Sequence, residues 1–157
     1  MSSNLAFVAL GSNLGNSREV LLEAVKRLEP FSESPVRLSR IIQTEPVDCP
    51  PGSPPFLNAV VGLQPHPGEA PESLLEKLQQ IEIELGRRRT GLRNEARAID
   101  LDLIAFGQQT RSTSQLILPH PRAHLRRFVL EPLAEIAPDF ILPGQRETIS
   151  ELLAKAD

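Results

Sequence analysis

Five arginines, Arg87, Arg88, Arg89, Arg93 and Arg97, fall between positions 87 and 97 beside one acid, Glu95, in a chain whose formal net charge is -3. Two carboxylates follow at once, Asp100 and Asp102, inside the run 99–106 (IDLDLIAF), which Gly107 ends. Guanidinium groups clamp phosphate oxygens bidentately. A pair of hard oxygen ligands suits Mg2+, which binds one or two carboxylates and completes its octahedron with water and substrate phosphate oxygens. The run has the alternation and composition of a β-strand. Side chains two apart on a strand share a face, so Asp100 and Asp102 project together, about 6–7 Å apart at the backbone, with Ile99, Leu101 and Leu103 on the other side. Carboxylates that close raise each other's pKa unless a cation lies between them. The pattern is that of a site for a Mg-polyphosphate, in the first place a nucleoside triphosphate. A solvated strand face beside a basic loop is the alternative reading, and both stand on these residues alone.

Other candidates lie along the chain. Phe56 and Asn58 share a face of a strand over 56–63, where an aromatic ring and an amide could recognise a flat heterocycle; a core ring and a structural amide is the alternative. Glu82 falls between Leu78 and Leu75 on the apolar arc of a helix, so its charge requires a partner: a nearby arginine, a ligand donor or solvent at the arc's edge. His120 is held between Pro119 and Pro121 near Arg122, Arg126 and Arg127, which allows either a structural role or a phosphate contact.

The elements that position these groups are readable in order. Residues 5–10 predict a buried strand, 11–16 a turn, and Asn16 with Glu19 a capping box opening a helix through Leu28. Residues 36–42 predict a second strand, and 45–55, with five prolines, a long binding or lid loop. After the strand at 56–63, residues 70–85 form an amphipathic helix with Leu74, Leu75, Leu78, Ile81 and Leu85 on one arc. Beyond the strand at 99–106, residues 116–118 form a short strand. Pro132 splits the following helical stretch into two short helices. Residues 140–142 supply a last strand piece, and 149–155 a terminal helix. The series βαββαβ gives an α+β, ferredoxin-like core, a mainly antiparallel sheet with helices packed on it, plus a short C-terminal extension.

A chain of 157 residues fits one domain. No apolar run approaches a membrane span. The N-terminus lacks the features of an export signal, and the single cysteine, Cys49, excludes an internal disulfide and suits a reducing cytoplasm. Cys49 also lacks a neighbouring base to form a thiolate. A pI near 5.7 and the absence of Trp and Tyr argue against a nucleic-acid platform.

Seven short segments, in order, carry a resemblance: residues 9–15 (ALGSNLG), 44–46 (TEP), 56–60 (FLNAV), 85–87 (LGR), Arg97 with 100–103 (DLDL), 119–120 (PH) and 127–133 (RFVLEPL). Together they make the chain similar to the 6-hydroxymethyl-7,8-dihydropterin pyrophosphokinases of folate synthesis, in their bacterial monofunctional form. The resemblance implies transfer of pyrophosphate from MgATP to the pterin hydroxymethyl group, with release of AMP. It implies that Asp100 and Asp102 hold two Mg2+ ions, and that Arg87 and Arg97 neutralise charge on the transferred group. Arg89, His120 and Arg126 would contact phosphates or ribose, and Gln79, Glu82 and Leu103 the nucleotide. Phe56 and Phe128 would sandwich the pterin, whose polar edge Thr44, Pro46, Val47 and Asn58 would line. A cytoplasmic monomer without nucleic-acid or membrane partners is the implied state. The chain departs from the family where Asn94-Glu95-Ala96 stands in place of an aromatic followed by Gly-Pro; Arg97 is retained.

Overall fold

The computed structural model describes residues 4–13, 16–44, 55–87 and 99–156. Pro46, Val47, Cys49, Arg89 and Arg97, with nearly all of the proline-rich loop, lie outside them. The core runs β1 (Ala6–Ser12), α1 (Ser17–Leu28), β2 (Arg37–Leu38), β3 (Ile42–Thr44), β4 (Phe56–Leu63), α2 (Pro71–Arg87) and β5 (Asp100–Phe106). These five strands form one sheet in the order β2-β4-β1-β5, with β3 also paired to β4, and every pairing is antiparallel. That order is the split βαβ arrangement the sequence predicts.

Alternation along the inner strands gives the sheet two buried faces. Ala6, Val8 and Leu10 of β1, Ala59, Val61 and Leu63 of β4 and Leu101 and Leu103 of β5 pack against Leu21, Leu28, Leu74 and Leu78 of α1 and α2. Phe7, Val60 and Ile104 point the other way. The C-terminal part covers them as a third layer, formed by α3 (Arg127–Ile136) and α4 (Ile149–Lys155) through Leu130, Leu133, Ile149 and Leu152. A register shift between Phe7 and Val8 lets β5 place both Ile104 and Ala105 in this second core. The extension therefore builds a second hydrophobic core rather than forming an appendage. A separate two-stranded ribbon joins β6 (Arg111–Ser112) to β7 (Ile117–Leu118).

Four local expectations are corrected. Residues 36–42 do not form one strand. Ser39, 3 % exposed, turns inward between β2 and β3, and its hydroxyl accepts the Val60 N–H at 2.9 Å while its own N–H donates to the Val60 carbonyl at 3.0 Å. A side chain thus replaces a ladder carbonyl and interrupts the pairing. Asn16 occupies the N-cap of α1 but its side chain makes no capping bond. The reciprocal box forms instead at Thr148 and Glu151 of α4. Pro132 does not divide its helix: Val129, Leu130, Pro132 and Leu133 make one buried seam, and that burial outweighs the missing N–H. Residues 140–142 are not a strand, because the buried Phe140 and Leu142 pack into the second core without a pairing partner. Among the described residues, no helix is long and apolar enough to cross a membrane.

Candidate active site

The sheet face turned toward α3 is closed by side chains at one end and open at the other. There the register fixes two cross-strand rows. Gly11 of β1 lies opposite Asn58 of β4 and Asp100 of β5, and Ala9 lies opposite Val60 and Asp102. Small residues occupy the middle of both rows, so the floor is hollow. A Cβ placed on Gly11 would stand 3.2 Å from Asn58 Oδ1. Asp100 and Asp102 share this face and are exposed, while Ile99, Leu101 and Leu103 are buried opposite, as the alternation requires.

Above the floor is a cavity of about 360 Å3. Thr44, Phe56 and Asn58 supply one side from β3 and β4, Phe128 and Val129 the other from α3, and Asp100, Asp102, His120 and Arg126 the rim. Asn58 is 8 % exposed and donates through Nδ2 to Thr44 Oγ1 at 2.8 Å, so each strand fixes the other's polar group. The Arg126 guanidinium lies 5.5 Å from the Phe128 ring centroid, which holds a cation beside an aromatic wall. Two rings and a tethered amide lining one cavity fit a polar heterocycle.

A second hollow of about 270 Å3 lies beyond the free edge of β5. Leu75, Leu101 and Leu103 form its apolar side, and the β6–β7 connection brings Thr113, Ser114, Gln115 and Leu116. Asp102 and His120 line both hollows. The His120 backbone N–H donates to the Ile104 carbonyl at 2.9 Å, and its Nδ1 accepts the Arg122 N–H at 3.2 Å. In the neutral ring that arrangement leaves the proton on Nε2. Burial pushes the His120 pKa below the ordinary value of 6.5; Asp102 opposes the shift, and Arg126 and Arg122 add to it.

The remaining predicted residues divide. Leu103 lines the second hollow. Gln79 is on the exposed face of α2 and lines neither hollow. Glu82 lines neither, and its Oε2 accepts the Leu101 N–H at 2.7 Å, so the partner its charge requires includes a backbone amide. Arg87 ends α2 and points the chain toward the arginine segment. Gly11, expected in the turn 11–16, lies instead in β1, which runs through Ser12, and neither it nor Ala9 nor the wall at 113–116 was assigned to the site from the sequence. Ala9 and Gly11 alternate on β1 as the acids do on β5, but only the register reveals that they face them.

Asp100 and Asp102 supply hard, exposed oxygens on one cavity rim, which fits Mg2+. Among the described residues, no cluster of three or more His, Cys, Asp or Glu could hold an ion by itself. Such an ion would draw most of its shell from water and ligand oxygens.

Residues 7–138 match the model of the family described as 7,8-dihydro-6-hydroxymethylpterin-pyrophosphokinase (HPPK). A 2-amino-4-hydroxy-6-hydroxymethyldihydropteridine pyrophosphokinase of Pseudomonas aeruginosa is 42% identical over 149 residues, covering 94% of this chain and 89% of the relative. One from Bacillus subtilis is 43% identical over 135 residues, covering 85% and 78%. The crystal structure of wild-type Plasmodium falciparum HPPK-DHPS superposes with a TM-score of 0.72 over 97% of this chain at 14% identity. This likeness shows the fold alone, and the chain spans 44% of that longer one. By the extent of the family match and the identity to these two bacterial relatives, the chain belongs to the 7,8-dihydro-6-hydroxymethylpterin-pyrophosphokinase family.

Proposed function

We propose that the chain transfers the pyrophosphoryl group of MgATP to the hydroxymethyl oxygen of 6-hydroxymethyl-7,8-dihydropterin, a step of folate biosynthesis, and releases AMP. The observation that carries this reading is that Asp102 and His120 line both hollows, so a heterocycle in one and a nucleotide in the other would meet at Asp102 and His120, with Asp100 beside them on the rim of the first. In the transfer the hydroxymethyl oxygen bonds to the β-phosphorus, the bond from that phosphorus to the α-β bridging oxygen breaks, and the hydroxyl proton is lost. Such chemistry requires alignment and charge neutralisation more than a covalent protein group.

The pterin lies between Phe56 and Phe128, with Asn58 and Thr44 on its polar edge and Pro46 and Val47 beside it. The nucleotide lies over Leu103, with Gln79 one turn along α2 from Leu75 of that hollow. Arg87 and Arg97 neutralise the transferred group, and Arg89, His120 and Arg126 hold phosphates or ribose. Asp100 and Asp102 hold two Mg2+ ions, which would supply Lewis-acid charge to the triphosphate. One domain, 1–157, performs the reaction as a cytoplasmic monomer that binds no nucleic acid.

Incubation with MgATP and 6-hydroxymethyl-7,8-dihydropterin tests the reading. It predicts AMP and pterin pyrophosphate in equal amounts. ADP would mean simple phosphoryl transfer, and nucleotide binding without product would mean a regulatory module.

A further inference from the structure

We propose that Glu82 is a positioning residue for the two acids, acting through the Leu101 amide rather than on the nucleotide. The inference rests on the reading of Asp100 and Asp102 as metal ligands. Among the described residues β5 is an edge strand of the sheet, with no partner strand on one side of its backbone. Along an antiparallel pair, successive residues alternate between exchanging bonds with the neighbour and pointing away from it. Asp100 faces Gly11 and Asp102 faces Ala9, and the Leu101 N–H between them turns outward to Glu82 Oε2, 2.7 Å away.

That contact is specific in origin. Leu78 and Leu85, one turn before and one turn after Glu82 on α2, are both buried against the sheet. The helix seam therefore delivers the carboxylate to the strand edge. A charge-assisted bond of this kind is about twice as strong as a neutral one. It pins the first of the two peptide groups that separate the acids, and so constrains their spacing and direction from behind. It also joins the end of α2 to the start of β5, across the segment that contains Arg89 and Arg97. The walls of the heterocycle slot come from β3, β4 and α3 over a β1 floor, and β5 reaches it only through Asp100, Asp102 and Ile104. Glu82 should therefore govern metal response without governing pterin affinity.

The test compares E82M, which removes the acceptor, with E82Q, which keeps a neutral oxygen. Amide exchange at Leu101 is read by NMR in the metal-free protein, and the Mg2+ dependence of AMP formation is read separately. E82M is expected to lose roughly tenfold or more of Leu101 protection, and to raise the half-saturating Mg2+ concentration by about 10–100-fold, as outer-shell changes do. The pterin KM stays within about twofold, and E82Q recovers most of both losses. Unchanged Leu101 exchange, or an unchanged Mg2+ response, in E82M overturns the proposal. So does an equal loss of metal-free ATP affinity in both variants, which would place Glu82 on the nucleotide. Should E82M not fold, E82Q decides alone: exchange and Mg2+ half-saturation must rise together, and movement of one without the other refutes the link. Failure of the wild type to form AMP would remove the reaction itself, whereas the Leu101 exchange is readable whatever the reaction.

Discussion

Replacing Gly11 by Ala should damage pterin binding while leaving stability nearly unchanged. The backbone of Gly11 is not among the positive-φ glycines, so alanine is not strained there. Alanine in place of a strand glycine ordinarily gains about 0.5–1 kcal/mol through the unfolded chain. The new Cβ, however, would stand 3.2 Å from Asn58 Oδ1, a few tenths of an ångström inside ordinary contact. Asn58 cannot retreat freely, because its Nδ2 is held by Thr44 Oγ1 at 2.8 Å. The amide must rotate or give up that bond, which costs about 1 kcal/mol net, and its contact to the ligand costs about as much again. Together that is roughly 1–2 kcal/mol, a factor of about 5–30 in pterin affinity. The assay is pterin binding by calorimetry beside thermal melting and nucleotide binding without pterin. Unchanged pterin affinity would refute the placement of the floor. A parallel loss of nucleotide affinity and melting temperature would refute the claim that the damage is local.

The other predictions are simpler. Asp102→Asn should raise the Mg2+ requirement beyond the ~10–100-fold typical of outer-shell changes, with metal-free nucleotide affinity little altered; a normal Mg2+ titration would contradict its assignment. The folded pKa of His120 is depressed by burial, so the unfolded chain binds the extra proton more readily. Its contribution is fully present above the unfolded value near 6.5 and is lost as pH falls through the folded pKa. His120→Gln should then flatten the fall of stability below pH 6.5, measured by denaturant unfolding across the acid range. Leu130, fully buried on the inner face of α3, should cost about 3 kcal/mol on truncation to Ala, or roughly 6–12 °C in melting temperature.

The order of elements and the face carrying the acids were legible because both follow from short-range periodicity. Asp100 and Asp102 could be placed together, opposite Leu101 and Leu103, by counting along one strand. What periodicity could not supply was register. The meeting of Gly11 with Asn58 and Asp100 depends on how three strands align, and each strand looks ordinary alone. The errors have local causes of the same kind. Residues 36–42 read as one strand until Ser39 reached the Val60 amide, a contact between residues far apart in the chain. Residues 128–138 read as two helices because a proline penalty is visible in sequence, whereas the burial that outweighs it is not. Phe128 and Arg126 could be attached to the site by resemblance, but their shared geometry on α3 appears only once that helix covers the sheet.

β1 is paired along its length with β4 on one side and β5 on the other, and Ala9 stands at its centre with Gly11 two residues on. Backbone amides in such a place exchange with solvent only when the whole domain opens, not by fraying at an edge. The surface on which the reactants rest is thus among the last parts of the molecule to melt. Heat or denaturant should therefore abolish turnover in step with global unfolding, without a folded, inactive state in which this platform has come apart first.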